Sequence, residues 1–311
     1  MKLIIYIPCL NESKTIIDLL DSIPQKFEGI YETEILIIDD GSDDNTSEII
    51  KQKYKKINII KHRTNRGLAE AFNTAIKFCI NNNADIMVSL DGDHQYKPSD
   101  IQKIINPIIL NNFDIVLGNR KIQTTLHYSK LKKLIHKFGT YFLNLFLINK
   151  VCDPITGMRA YSKLAMNNLI VVNKFTYTIE TLFHADYLKL SVHEVTINTN
   201  PPTRKSRLFK SNVQYLYKNL HILFVVLIYY KSAFILNILS MPFYFFGFSL
   251  WIRYFFKIFY EESLSGRYIP SILVGGICIL IGIIFSLFAF LISYIRFNQI
   301  YLVKKFFKNG N

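Results

Sequence analysis

Four cysteines in 311 residues (Cys9, Cys79, Cys152 and Cys278) form no CxxC pair and no even framework. That excludes a disulfide scaffold and a thiolate zinc site, and it points to a reducing compartment. Charge is sparse at 19%, and acid is the scarcer sign: 23 Asp+Glu against 37 Lys+Arg leave a net +14. With half of the residues apolar, so little charge excludes a disordered chain. The basic excess lacks any RNP-like or helix-turn-helix pattern, so nucleic acid is not an expected partner; anionic lipid headgroups and nucleotides need the same positive field. Nor does the first apolar run, residues 1–7, reach signal-peptide length before Pro8 and Asn11 stop it; it reads as a buried strand of a cytosolic domain.

Charge is missing altogether from two stretches of the C-terminal third, 21 residues at 232–252 and 25 at 271–295. Both have the length of a bilayer-crossing helix. Pro242 in the first and Gly275, Gly276 and Gly282 in the second are better tolerated in a membrane helix than in a soluble one. The small residues would also let helices of two copies meet, which leaves a homo-oligomer open. Lys210, Lys218 and Lys231 precede the first span, and Arg296, Lys304, Lys305 and Lys308 follow the second. Between the spans, Arg253, Lys257 and Arg267 are offset by Glu261 and Glu262, so the positive-inside rule puts both termini in the cytoplasm. The expected division is a cytoplasmic domain over 1–210, an interfacial helix over 211–231, and a two-span region over 232–311 with spans near 232–256 and 269–296. Residues 128–150 mix Lys130, Lys132, Lys133, His136 and Lys137 with apolar residues at helical spacing. They read as an amphipathic helix facing an anionic membrane or as an internal helix of the first domain.

Upstream, apolar runs at 34–38, 58–61, 85–90 and 114–117 each end at a polar residue or a loop, and helical periodicity marks 15–23, 46–54 and 68–80. This alternation predicts an α/β domain with a mainly parallel sheet, whose ligands sit beyond the carboxyl ends of the strands. The residues that close each run therefore carry the functional argument. After the run at 86–90 comes Asp91-Gly92-Asp93-His94-Gln95. In extended chain, residues two apart share a face, so Asp91, Asp93 and Gln95 present three oxygen donors to one point, a set suited to Mg²⁺ or Mn²⁺ bridging substrate phosphates. Acidic side chains recur at the other strand ends: Asn11-Glu12 after the first, and Asp39-Asp40-Gly41-Ser42 with Asp43 and Asp44 after the second. Ser42 and Thr46 also read as turn or helix-cap residues.

These segments, with Ile7-Pro8, Asn65-Arg66-Gly67, Pro98, Gly118-Asn119-Arg120, Asp153-Pro154-Ile155-Thr156-Gly157-Met158-Arg159, Glu180, Glu194-Val195 and residues 204–208, span about 200 residues. In that order the chain resembles the family-2 glycosyltransferases of GT-A fold (a Rossmann-like α/β domain), and among them the polyprenyl-phosphate glycosyltransferases of the dolichyl-phosphate mannose synthase type. Processive synthases of the family carry a QxxRW motif, whereas the sole tryptophan here, Trp251, lies in an expected span.

The resemblance implies that Pro8, Asn11, Glu12, Asp39 and Asp40, with Asp91, Arg204 and Arg207, bind the nucleotide sugar, and that Asp91, Asp93 and Gln95 hold Mg²⁺ or Mn²⁺. Arg204 matches an arginine of a loop over the nucleotide; Lys205 stands where the family has glycine, and Arg207 where it usually has lysine. Arg120 matches a residue that meets the acceptor phosphate, with Lys132, Lys133 and His136 as further candidates, and Asp153 lies in a loop the family places near the acceptor. The implied catalytic set is Asp93, Arg120, Asp153 and Arg204. The implied reaction moves a hexose from a donor of the GDP-mannose or UDP-glucose type to a dolichyl or undecaprenyl phosphate, with inversion, at the cytoplasmic face of the bilayer. A phosphate monoester has its second pKa at about 6, so the acceptor is mostly dianionic near neutrality and needs no general base. Two alternatives are transfer to another lipid or glycan, and a catalytically silent membrane scaffold. Intact Asp91, Asp93, Gln95 and Arg120 weigh against the scaffold.

Overall fold

A computed structural model describes residues 1–125, 128–172, 177–201, 212–260 and 269–309. The chain divides into two compact units, Met1–Asn219 and Leu220–Asn311.

The first unit is built on seven strands: β1 (Lys2–Cys9), β2 (Glu32–Asp39), β3 (Asn58–Lys61), β4 (Ile86–Ser89), β5 (Ile115–Asn119), β6 (Arg159–Ser162) and β7 (Val192–Thr196). They form one sheet in the order β3-β2-β1-β4-β6-β5-β7. β6 is antiparallel to both of its neighbours, and the other pairs are parallel. The helices are α1 (Ile16–Asp21), α2 (Thr46–Lys53), α3 (Leu68–Asn81), α4 (Ile101–Asn111), α5 (Lys130–Asn144), α6 (Lys163–Asn168) and α7 (Thr178–Leu188). β1 is apolar on both faces because both are covered, as parallel strands require. Leu3, Ile5 and Ile7 pack with Ile16 and Leu19 of α1, Ile50 of α2, and Ile101, Ile104 and Ile105 of α4. Beyond the opposite face, the Phe72 ring of α3 stacks on Tyr177 at 4.2 Å and meets Tyr161 of β6 edge-on at 5.2 Å. An aromatic core of this kind typically loses about 3–5 kcal/mol when a Phe such as Phe72 is cut to Ala.

This topology brings the functional loops together. The carboxyl ends of β1, β2, β4 and β5 share one rim with the start of β6, because β6 runs the other way and Arg159 pairs with Ser89. Two strands absent from the expectation, β6 and β7, thus place the 152–157 loop at that rim.

The second unit holds most of α8 (Asn212–Tyr260) and all of α9 (Ile269–Asn309), with non-helical dihedrals inside α8 at Lys231. Leu223–Tyr260 and Ile269–Gln299 are long and apolar enough to cross a membrane, with mean hydropathies of 1.8 and 2.8. Their contacts run antiparallel: Ser232 Oγ lies 3.0 Å from Ser293 Oγ, Tyr244 OH 3.2 Å from Ser286 Oγ, and Trp251 Nε1 donates to Ile272 O at 3.0 Å. Gly247 and Gly275 bring the two backbones together: a Cβ on Gly247 would lie 2.8 Å from the Gly275 carbonyl, and one on Gly275 would lie 2.9 Å from the Gly247 carbonyl.

Candidate active site

The loops after β1 and β2 are zipped by side chains read from sequence as turn formers. Asn11 N donates to Ser42 Oγ (2.9 Å), Glu12 N to Thr46 Oγ1 (3.0 Å) and Asp43 N to Asn11 Oδ1 (3.0 Å). Adjacent strand-end acids point opposite ways, and Asp39 and Asp40 differ accordingly. Asp39 is fully buried, accepting from Ser42 N at 2.8 Å and from Ser47 Oγ. It shapes the turn from inside and cannot itself touch a ligand. Asp40 accepts from Arg66 N (2.9 Å) and Gly67 N (2.8 Å), and its Oδ1 lies 2.7 Å from His62 Nδ1. It pins the 62–67 loop to β2, and Gly41, at φ +83°, leaves room for the Thr64–Asn65 backbone.

The acidic centre follows β4. Glu12 lies beside it: a Cβ on Gly92 would sit 3.1 Å from Pro8 O and 3.4 Å from Glu12 Cγ. Asp93 accepts from Gln95 N at 3.1 Å and from Gln95 Nε2 at 2.8 Å. Asp91 packs on Gly157, where a Cβ would fall 2.5 Å from its Oδ2, so only glycine lets the carboxylate sit there. Burial and the like charge of Asp93 push Asp91 up to about 7, against the pull of Arg120. A buried carboxylate beside a second one, with an amide next to them, has the hard-oxygen chemistry that Mg²⁺ or Mn²⁺ satisfies. Among the described residues no group of three or more His, Cys, Asp or Glu could hold a metal.

Beside the acids stands a cationic cluster. Arg120, at the end of β5, grips Asp153 with Nε–Oδ2 at 2.7 Å and Nη2–Oδ1 at 2.8 Å, and His136 Nε2 of α5 lies 3.3 Å from Asp153 Oδ1. Lys132, one turn before His136, holds its ammonium 4.4 Å from the Tyr128 ring centre, and burial and Arg120 lower its proton affinity. Lys133 is the next residue, about 100° around the helix, and its carbonyl accepts from Gln123 Nε2 at 3.0 Å. The structure thus brings Arg120, His136 and Asp153 together, with Lys132 near enough for the Arg120 charge to act on it, and puts Lys133 three residues before His136 on the same helix. Arg204 and Arg207 lie outside the described residues.

Three side chains outside the expected site set, though among the segments that carry the resemblance, hold backbone in this half of the domain. Glu194 accepts from Cys152 N and Asp153 N, Glu180 accepts from Val172 N at 2.9 Å, and Arg159 is wholly buried among carbonyls. Their partners are backbone groups, as near as Thr156 to Arg159 and as far as Cys152 to Glu194, and a backbone partner leaves no mark in residue type.

Comparison with known proteins identifies the family. The sequence model of Glycosyl transferase family 2 matches residues 4–170. The UDP-N-acetylglucosamine–dolichyl-phosphate N-acetylglucosaminyltransferase of Methanococcus voltae is 32% identical over 213 residues, covering 62% of this chain and 83% of that protein. A dolichol-phosphate mannosyltransferase of Pyrococcus furiosus is 28% identical over 198 residues, covering 61% and 54%. Glucosyl-3-phosphoglycerate synthase of Mycobacterium tuberculosis, solved with Mn²⁺, UDP and glucosyl-3-phosphoglycerate, superposes with a TM-score of 0.57 at 17% identity, covering 73% and 78%, a likeness of fold.

Proposed function

This chain belongs to glycosyl transferase family 2, and from that premise we propose that it transfers a sugar from a nucleoside-diphosphate donor to a polyprenyl phosphate, with inversion at the anomeric carbon. One observation carries the reading: the Asp91–Asp93 pair and the Arg120–Lys132–His136 cluster share one rim, close enough for the Arg120 charge to act on Asp91. A donor diphosphate with its cation needs the first half; an anionic acceptor needs the second. The names of the two relatives support a dolichyl-type acceptor, while their sugars differ, N-acetylglucosamine in one and mannose in the other.

In this reading, Glu12 and the zipped loops after β1 and β2 wall the nucleoside, and Asp91, Asp93 and Gln95 hold Mg²⁺ or Mn²⁺. A bound divalent ion supplies charge neutralisation to the leaving diphosphate. Arg120, Lys132 and His136 seat the acceptor phosphate, whose oxygen attacks the anomeric carbon as the bond to the diphosphate breaks. The dianionic acceptor is its own nucleophile, so Asp153 orients cations and abstracts no proton. α8 and α9 anchor the chain in the bilayer that holds the acceptor, and the basic residues flanking them favour a cytoplasmic site.

The test incubates membranes containing the full chain with labelled UDP- and GDP-sugars, Mg²⁺ or Mn²⁺, and polyprenyl phosphate. Label is expected in the organic phase with one donor and only when acceptor is added, and Asp93→Ala should lower the rate by roughly a hundredfold or more. No label with any donor would overturn the reading.

A further inference from the structure

The 152–157 loop, which carries Asp153, is held on opposite sides by two ionised side chains. On the N–H side, Glu194 of β7 accepts from Cys152 N (Oε2, 2.7 Å) and Asp153 N (Oε1, 2.9 Å). On the C=O side, Arg159 at the start of β6 donates to Pro154 O (Nη2, 2.6 Å) and Thr156 O (Nε, 2.9 Å). Its Nη1 reaches Thr178 O and Thr181 Oγ1 of α7, both at 2.9 Å. Gly157 closes the loop, its N–H donating to Tyr96 OH at 2.8 Å and its carbonyl accepting from Ser89 Oγ at 2.5 Å and Tyr177 OH at 3.2 Å.

Two features separate this arrangement from ordinary turn satisfaction. Arg159 is 0% exposed, and among the described residues it makes no ion pair with a carboxylate. Burying an ionised group is costly, and an apolar side chain would fill the same space without that cost. What the guanidinium adds is its rigid fork, which serves two carbonyls of the loop and the first turn of α7 at once. The second feature is the loop's cargo. Asp153 takes Arg120 Nε and Nη2, the Arg120 backbone N–H at 3.2 Å, and His136. Wherever the loop sets Asp153, the acceptor-side cations follow.

Resting on the reading above, we propose that Glu194 and Arg159 are positioning residues for the acceptor half of the site, clamping the 152–157 loop from its N–H and C=O sides so that Asp153 presents Arg120 and His136 in a preformed geometry. Neither touches substrate. Preorganised cations lower the cost of bringing a charged acceptor to a charged donor.

Glu194→Ala, Glu194→Gln and Arg159→Lys in the full chain test this by two readouts. In Glu194→Ala, amide hydrogen exchange across 150–158 should accelerate, and the acceptor KM should rise about tenfold, the effect of losing one or more hydrogen bonds to a charged group, while the donor KM stays within about twofold. Glu194→Gln should fall between, since only its carbonyl oxygen can accept. Arg159→Lys, a point charge in place of a fork, should show the same split; should it fail to fold, the Glu194 variants decide. Unchanged exchange in Glu194→Ala would overturn the clamp whatever the kinetics. Faster exchange with both KM values unchanged, or raised equally, would overturn its acceptor-side role. Absence of transfer by the unaltered chain would instead overturn the functional reading, and exchange would still decide the clamp.

Discussion

A carboxylate that is 1% exposed must be neutralised or paired, and Asp153 is paired with both Arg120 and His136. Burial pushes its proton affinity up; the Arg120 charge and hydrogen bonds, then His136, outweigh burial and hold Asp153 well below the usual carboxylate range. A carboxyl depressed in the folded state stabilises above its unfolded pKa of about 3.9, and that contribution is lost only as pH falls through the folded value. Asp153→Asn also leaves Arg120 buried without its partner, a loss of about 3–5 kcal/mol. Thermal unfolding should show the same loss at pH 5 as at pH 7; a loss that shrinks between them would mean another titrating group sustains the pair. Residue by residue, sequence legibility was uneven for physical reasons. Asp91, Asp93 and Gln95 stand out in sequence as three oxygen-bearing side chains after a strand, but the expected extended chain is not there: residues 92–94 turn, with His94 at φ +57°, and Gln95 meets Asp93 across that turn. Asp39 and Asp40 look alike in sequence, yet only the structure shows Asp39 sealed behind Ser42 and Ser47. Gly157 reads as a loop glycine until Asp91 is seen against it.

Among the elements, β3 and the start of α3 fall where the apolar pattern puts them, and β1, β2, β4 and β5 differ at their ends by one or two residues. β6 escaped because its four residues begin with an arginine, which reads as surface until its carbonyl partners are known. β7 escaped because a polar pair interrupts its short apolar pattern. α5 is the informative helix. Leu131, Leu134, Phe138, Tyr141 and Leu145 lie at three- and four-residue spacing and are 51, 51, 66, 67 and 58% exposed. An apolar stripe left open on a helix that also carries Lys132 and His136, proposed above to seat the acceptor, fits a lipid surface, which in that proposal both supplies the acceptor and covers the stripe. Phe138→Trp in a Trp251→Phe background gives this face the chain's one indole. In vesicles of anionic lipid, brominated acyl chains are expected to quench it strongly. Quenching no greater than that of a freely exposed indole would remove α5 from the membrane surface.

At the scale of the whole molecule, the proposed reaction joins a water-soluble donor to an acceptor that cannot leave the bilayer, and the division of the chain into two units answers that division of substrates. The second unit carries one ionised group whose position bears on this. Arg296 Nη1 donates to Tyr229 O at 2.7 Å and to Tyr230 O at 2.5 Å, next to the non-helical Lys231. Tyr229 OH reaches Gln299 at 2.7 Å. Carbonyls beside a break in a helix need another donor, and Arg296 supplies one to Tyr229 and Tyr230, so it fixes the bend at Lys231. Arg296→Leu should loosen that bend and leave the rim chemistry intact. Transfer to a long-chain polyprenyl phosphate in vesicles should then fall about fivefold or more, the worth of one hydrogen bond at ~1 kcal/mol. Transfer to a short-chain prenyl phosphate dispersed in detergent should stay near the unaltered rate, because that acceptor is free to come to the rim. Equal losses on both acceptors would make Arg296 a support of overall stability and detach the bend from delivery of the lipid.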